Sequence, residues 1–289
     1  MTTALTDGGA VPELPEVQAH AERLTACYAG TVLERFTPIT FTALKTAVPA
    51  PSDAVGVALD GVGRRGKYLL ARFGDLTFVV HLMQGGRLRE DAKQSPKPRG
   101  GIARWRFADG RAWLLTEAGT ERRAGVWCAT SGNMLDHPPL ANLGPEALAI
   151  TADDLAARFA ARNMRLHTFL RDQGCIAGLG RRLANEVCHR AKVSPFAMTG
   201  KLGLGGATAV VTAIVDACNE GLAAERERDD MSSSADRPGG VHRRTGEPCP
   251  VCGDAIREVA YSSYSVNYCP TCQTGGKVLA DNTTSRFLK

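Results

Sequence analysis

Four cysteines near the C-terminal end constrain this chain more tightly than any other feature. Cys249 and Cys252 form one C-x2-C pair, Cys269 and Cys272 form a second, and sixteen residues separate the two. Each pair has the spacing of a zinc knuckle, in which a tight turn aims two thiolates at one ion. Two knuckles complete a tetrahedral site. Gly253 follows the first pair, where positive φ is often required. Residues 256–268 mix β-branched and aromatic side chains with Ser and Asn, as a β-hairpin does. A thioredoxin-like redox motif would need one such pair, not two. Four thiolates leave no coordination position open, so the predicted Zn2+ is structural and holds a hairpin too small to fold alone. Cys27, Cys128, Cys175, Cys188 and Cys218 are scattered singly and read as small buried apolar residues.

The 289 residues suit two domains and a small module. Apolar residues make up 44%, enough for real cores, which argues against general disorder. The net charge of +5 favours an anionic partner only weakly. No apolar run approaches the roughly 20 residues of a bilayer span. Residues 1–10 lack a basic stretch followed by an apolar core, so a signal peptide is not expected.

The texture changes along the chain. A leader over 1–11 precedes a helix over 12–28, with Val17, Leu24 and Tyr28 as its apolar positions. Short β-rich runs follow at 55–59, 68–73, 76–82, 102–107 and 112–116, with Gly74-Asp75 as a hairpin turn. Antiparallel strands at this spacing predict a sandwich or a barrel. Helices are expected over 151–162, capped by Thr151, and over 165–173, 182–191 and 207–225. A polar loop spans 226–247.

Five short motifs occur in order. Pro12-Glu13-Leu14-Pro15-Glu16-Val17 opens the first helix. Arg64-Arg65-Gly66-Lys67-Tyr68 leads into a strand, and Leu143-Gly144-Pro145-Glu146 lies in the linker. Leu170-Arg171-Asp172-Gln173 is followed by Ile176 to Gly180, and the cysteine pairs close the series. Together they resemble the formamidopyrimidine-DNA glycosylase and endonuclease VIII family. The resemblance implies an α+β protein. Its parts are an N-terminal antiparallel β-sandwich with a leading helix over 12–133, a linker over 134–147, a helix–two-turn–helix domain over 148–240, the four-cysteine zinc finger over 241–275 and a tail over 276–289. It implies a monomeric, cytoplasmic, nucleoid-associated base-excision enzyme acting on double-stranded DNA with damaged or abasic sites. The amine of Pro12 would attack C1′ as the base leaves, Glu13 would move protons, Lys67 would contact DNA or transfer a proton, and β-elimination would nick the strand. An α-amino group, with an ordinary pKa of about 7.7–8, is neutral often enough for such attack. An extruded nucleotide would give it access.

Several positions depart from the pattern. Pro12 follows Val11, so its nitrogen is an amide whose lone pair is delocalised. Three readings stand: translation starts at Val11 and the initiator is removed; the leader stays and Lys67 or no residue supplies the amine; or a protease trims it. Gln84 stands where family members that prefer oxidised purines carry a Met wedge. Arg123-Ala124 stands for an Arg-Phe wedge. Arg181 follows Gly180 where an Asn would bind phosphate. Tyr264 replaces an arginine that grips the lesion's phosphates and assists the second elimination. It either stacks on a base or packs within the hairpin. Arg99 completes the expected DNA contacts, with Gln84, Arg123, Arg181 and Tyr264. A catalytically silent damage-binding protein on the same fold is the alternative. A zinc-ribbon transcription factor explains the finger but not the other end.

Overall fold

The computed structural model describes residues 11–118, 123–231, 239–261 and 264–279. Most of the expected leader and tail, and part of the expected 226–247 loop, lie outside the described residues. The chain divides into two compact units, Met1–Asn142 with Leu222–Asp236, and Leu143–Gly221 with Arg237–Lys289.

The first unit begins with α1 (Leu14–Tyr28). Its buried Leu14, Val17, Ala21, Leu24 and Tyr28 recur at alternating intervals of three and four, the apolar stripe of an amphipathic helix. Pro15 sits in the first turn, where its missing N–H costs nothing. The helix starts two residues later than expected, because Glu13 is the extended N-cap. Among the described residues, eight strands follow: β1 (Leu33–Pro38), β2 (Gly61–Arg65), β3 (Tyr68–Phe73), β4 (Leu76–His81), β5 (Gly86–Glu90), β6 (Gly101–Phe107), β7 (Ala112–Glu117) and β8 (Gly125–Thr130). They form two antiparallel four-stranded sheets, ordered β1-β6-β7-β5 and β2-β3-β4-β8. Leu69, Phe73, Phe78 and Val80 of one sheet join Trp105, Phe107, Trp113 and Leu115 of the other in a shared core, which makes the unit a sandwich. Phe78 is the hinge of this packing. Its ring lies 5.1 Å from Phe36, 5.7 Å from Phe73 and 5.7 Å from Trp105.

The run at 55–59 is not a strand. Gly56 sits at φ +83, which breaks any pleat there, and only Ala58 makes an isolated bridge, to Val32. Cys27 is exposed, against expectation, whereas Cys128, Cys175, Cys188 and Cys218 are buried.

The second unit carries α2 (Ala152–Ala161), α3 (Leu166–Arg171), α4 (Arg181–Arg190) and most of α5 (Gly203–Arg226). Thr151 caps α2, its hydroxyl accepting from the Asp154 amide at 3.1 Å. By length and composition α5 is long and apolar enough to cross a membrane, contrary to expectation. Its buried residues, Ala207, Val210, Ile214, Ala217 and Cys218, form a one-sided stripe, and Thr212, Asp216 and Glu220 are exposed, so it packs as the core helix of this unit. The hairpin β9 (Arg257–Ala260) and β10 (Ser265–Tyr268) and the short α6 (Pro270–Thr274) complete the finger.

Phe78→Ala should lower the unfolding free energy of the sandwich by about 3–5 kcal/mol, measured by urea unfolding followed at the buried tryptophans. A loss below ~1 kcal/mol would mean that Phe78 does not join the sheets.

Candidate functional site

At the start of α1, Pro12 is buried and Glu13 is 3% exposed. The Glu13 backbone N–H donates to the Glu16 carboxylate at 2.9 Å, fixing the entry of the chain into the helix. Arg64 braces this end. Its Nε donates to Gln18 Oε1 at 3.1 Å and its Nη1 to the Gly66 carbonyl at 2.8 Å. The arginine thus ties α1 to the two-residue turn between β2 and β3, where Gly66 takes φ +57. Lys67 lies in that turn, half-buried, rather than at the start of a strand. The neighbouring His81 is pushed down to about 4, by burial first and by Lys67 second. Its neutral ring accepts from the Met83 amide at 3.0 Å and meets Tyr68 edge-on at 4.6 Å.

Gln84, Arg99 and Arg123 come from three separate turns that β7 draws together. The Ala118 amide donates to the Gly85 carbonyl at 3.4 Å, the Glu117 amide to the Gly100 carbonyl at 2.9 Å, and the Ala124 amide to the Glu117 carboxylate at 2.6 Å. Each of the three expected contact residues is therefore one position from a group bonded to Glu117 or Ala118, and all three are exposed. The turn carrying Gln84 is tight. A Cβ on Gly86 would lie 1.9 Å from the Leu82 carbonyl oxygen, so only glycine fits. Nothing in the residue pattern marks Glu117 as this junction, because a buried carboxylate and an exposed one read alike.

In the second unit, Arg181 is the first residue of α4, behind the extended Gly180. Glu186, farther along α4, accepts from the amides of Gly240, Val241 and His242 at 2.8, 3.1 and 2.9 Å. Burial pushes this carboxyl up, but the three amides outweigh it and hold it below the usual range. The finger is thereby tied to α4. His167 on α3 is 2% exposed and pushed down to about 3, by burial foremost, then by Arg171 and His242. Tyr264 is not an open ring. Arg171 lies 4.0 Å over its centroid and Tyr261 stacks 4.7 Å away, 13° from parallel.

The sulfurs of Cys249, Cys252, Cys269 and Cys272 all lie within 4.8 Å of one another. Cys249 and Cys272 are 3.9 Å apart, and Cys252 and Cys269 3.3 Å. A tetrahedron of thiolates at Zn–S of about 2.3 Å has edges of about 3.8 Å, so the four residues fit one zinc. His189 Nε2 lies 3.3 Å from Cys249 Sγ, an N–H donor for a thiolate.

Three family models match in order: the formamidopyrimidine-DNA glycosylase N-terminal domain over residues 11–127, its H2TH domain over 143–233, and the zinc finger found in FPG and IleRS over 246–275. A formamidopyrimidine-DNA glycosylase of Symbiobacterium thermophilum is 33% identical over 279 residues, covering 91% of this chain and 89% of that protein. This chain belongs to the formamidopyrimidine-DNA glycosylase family. An uncharacterized formamidopyrimidine-DNA glycosylase-like protein of Mycobacterium tuberculosis is 44% identical over 149 residues, 51% of this chain and 94% of that one. A crystal structure of the Lactococcus lactis glycosylase shares the fold, with a TM-score of 0.82 at 21% identity over 91% of this chain and all of that one. Among the glycosylases' shared parts, the finger with its four thiolates holds a structural zinc here.

Two predictions follow from this geometry. Chelation should release one zinc per chain and raise the count of titratable thiols by four. A release without new reactive thiols would place the metal elsewhere. His20, whose Nε2 donates to the Leu88 carbonyl at 2.7 Å, is pushed down to about 4, chiefly by burial. With His81 and His167 it makes three imidazoles whose folded values lie below the unfolded value of about 6.5. Between the two, the unfolded chain binds more protons. Their stabilisation is full above pH ~6.5 and falls by about 1 kcal/mol per pH unit for each imidazole as pH drops toward 4. Urea midpoints at pH 7 and pH 5 test this, and equal midpoints would contradict it.

Proposed function

We propose that this protein excises damaged bases from duplex DNA and cleaves the abasic strand, using the Pro12 nitrogen once the residues before it are absent. The observation that carries the proposal is the Pro12–Glu13 pair at the start of α1, buried and braced by Glu16 and Arg64. Support comes from relatives named as formamidopyrimidine-DNA glycosylases along 91% of the chain. Structural neighbours of the same fold are described with DNA containing an abasic site or an oxidized pyrimidine.

As a free secondary amine, Pro12 donates its lone pair to C1′. The glycosidic bond breaks and its electron pair leaves with the base, which takes up a proton. Loss of the amine proton and protonation of the ring oxygen open the sugar to an iminium at C1′. Glu13, next to the amine and sheltered from water, is the group placed to carry these protons. Loss of a C2′ proton then expels the 3′ phosphate. In the chain as written, the Val11 carbonyl delocalises the Pro12 lone pair, which forbids the first step. Lys67 is assigned to DNA contact beside His81. Gln84, Arg99 and Arg123, gathered by β7, are assigned to the DNA surface together with Arg181.

Borohydride trapping on an abasic-site duplex tests the reading, with the terminus verified by intact mass. Protein beginning at Pro12 should give a covalent adduct, and so should its Lys67→Ala variant, while the chain carrying Val11 should give none. No adduct from a verified Pro12 terminus would leave only a silent damage-binding protein on this fold.

A further inference from the structure

Tyr264 holds the position at which the finger lacks an arginine, and its surroundings show what stands in its place. The guanidinium of Arg171 lies 4.0 Å over the Tyr264 centroid and fills one face of the ring. Tyr261, at 4.7 Å and 13° from parallel, needs the other face, because two flat groups at these distances collide if they share one. The Tyr261 amide donates to the Tyr264 carbonyl at 2.8 Å, which closes the hairpin beneath the stack. Arg165 Nη1 donates to the Tyr261 hydroxyl at 2.9 Å. The stack therefore runs Arg171, Tyr264, Tyr261, with Arg165 at its rim. With both faces covered, Tyr264 is no platform for a base.

What the ring does instead is orient a cation. A guanidinium is planar, and its N–H groups form the fork that matches two oxygens of a phosphate. The rotamer freedom of a long side chain is lost before the anion arrives. His167, one helical turn before Arg171 on α3, flanks the same ring, 11° from parallel to Tyr264 at 6.2 Å.

We infer that Arg171, held over the Tyr264 ring, grips a backbone phosphate of the DNA, so that α3 supplies the cation the finger hairpin lacks. The inference rests on the duplex-DNA reading above. It makes Tyr264 a positioning residue and Arg171 the contact.

Binding of the full chain to a duplex with a tetrahydrofuran abasic analogue, by fluorescence anisotropy between 50 and 200 mM salt, about the range over which phosphate contacts dominate, tests the assignment. Arg171→Ala should bind several-fold more weakly at low salt. Its slope of log K against log salt should be shallower by about 0.9, the share of one phosphate. Arg171→Lys should recover the slope but not the full affinity, since an ammonium keeps the charge without the fork. Adding Tyr264→Arg to Arg171→Ala should return the slope to the original value. Zinc content reports that each variant is folded. Should Arg171→Ala lose its zinc, Arg171→Gln keeps a planar group on the ring without charge and is expected to show the same shallower slope. An unchanged slope in the folded neutral variant overturns the assignment, even if affinity falls, because a merely structural arginine changes affinity without changing counterion release. If the unaltered protein binds no duplex at all, the DNA reading itself fails, a result distinct from normal binding with an indifferent Arg171.

Discussion

Four thiolates cannot crowd within 4.8 Å without a cation to neutralise them. This constraint organises the second unit. The zinc closes a hairpin of two four-residue strands that could not hold itself together. With the hairpin fixed, Tyr261 and Tyr264 stack, and Arg171 and Arg165 find their places against them. Glu186 binds three consecutive amides ahead of the first cysteine pair, and His189 meets Cys249, so α4 and the metal site form one body. Arg181, at the head of that same helix, inherits the rigidity.

The first unit solves a different problem, presenting a proline and a carboxylate at a helix start while excluding water from both. The sandwich supplies the wall, and Arg64 supplies the strut, bonded at one end to Gln18 and at the other to the Gly66 carbonyl. The last turn of α5 reinforces α1 from another side: Arg226 grips the Glu22 carboxylate at 2.7 and 2.8 Å, and Arg23 donates to the Glu225 carbonyl at 2.8 Å. These pairs are partly exposed and individually worth little. Met231, 4% exposed, adds apolar burial to the same contact.

Much of this was legible in the residues. The cysteine spacing specified the metal site because ligand geometry is local. The stripe of α1 and the β-rich runs at 68–73, 76–82, 102–107 and 112–116 became elements close to where the pattern put them. The short strand β2, Gly61–Arg65, escaped notice because two of its five residues are glycines, and pairing with β3 rather than propensity makes it a strand. The apolar run at 55–59 misled, because Gly56 at positive φ outweighs its composition. Arg64 was visible as a motif residue but not as a brace, since its partners Gln18 and Gly66 meet only in the folded chain. The capping of Tyr264 by Arg171 was invisible for the same reason: α3 and the finger are far apart in sequence. Arg171 was visible as a motif residue, not as a partner of the finger.

The proposed chemistry turns on a single nitrogen: an acyl group on Pro12 removes its reactivity while leaving the fold around it in place. Single-turnover release of free base from a duplex carrying an oxidised base measures this most directly. Protein beginning at Pro12 is predicted to release the base. Its Glu13→Gln variant should bind the duplex but release base far more slowly, and the chain bearing Val11 should release none. Equal release by the Val11-bearing chain would contradict the account.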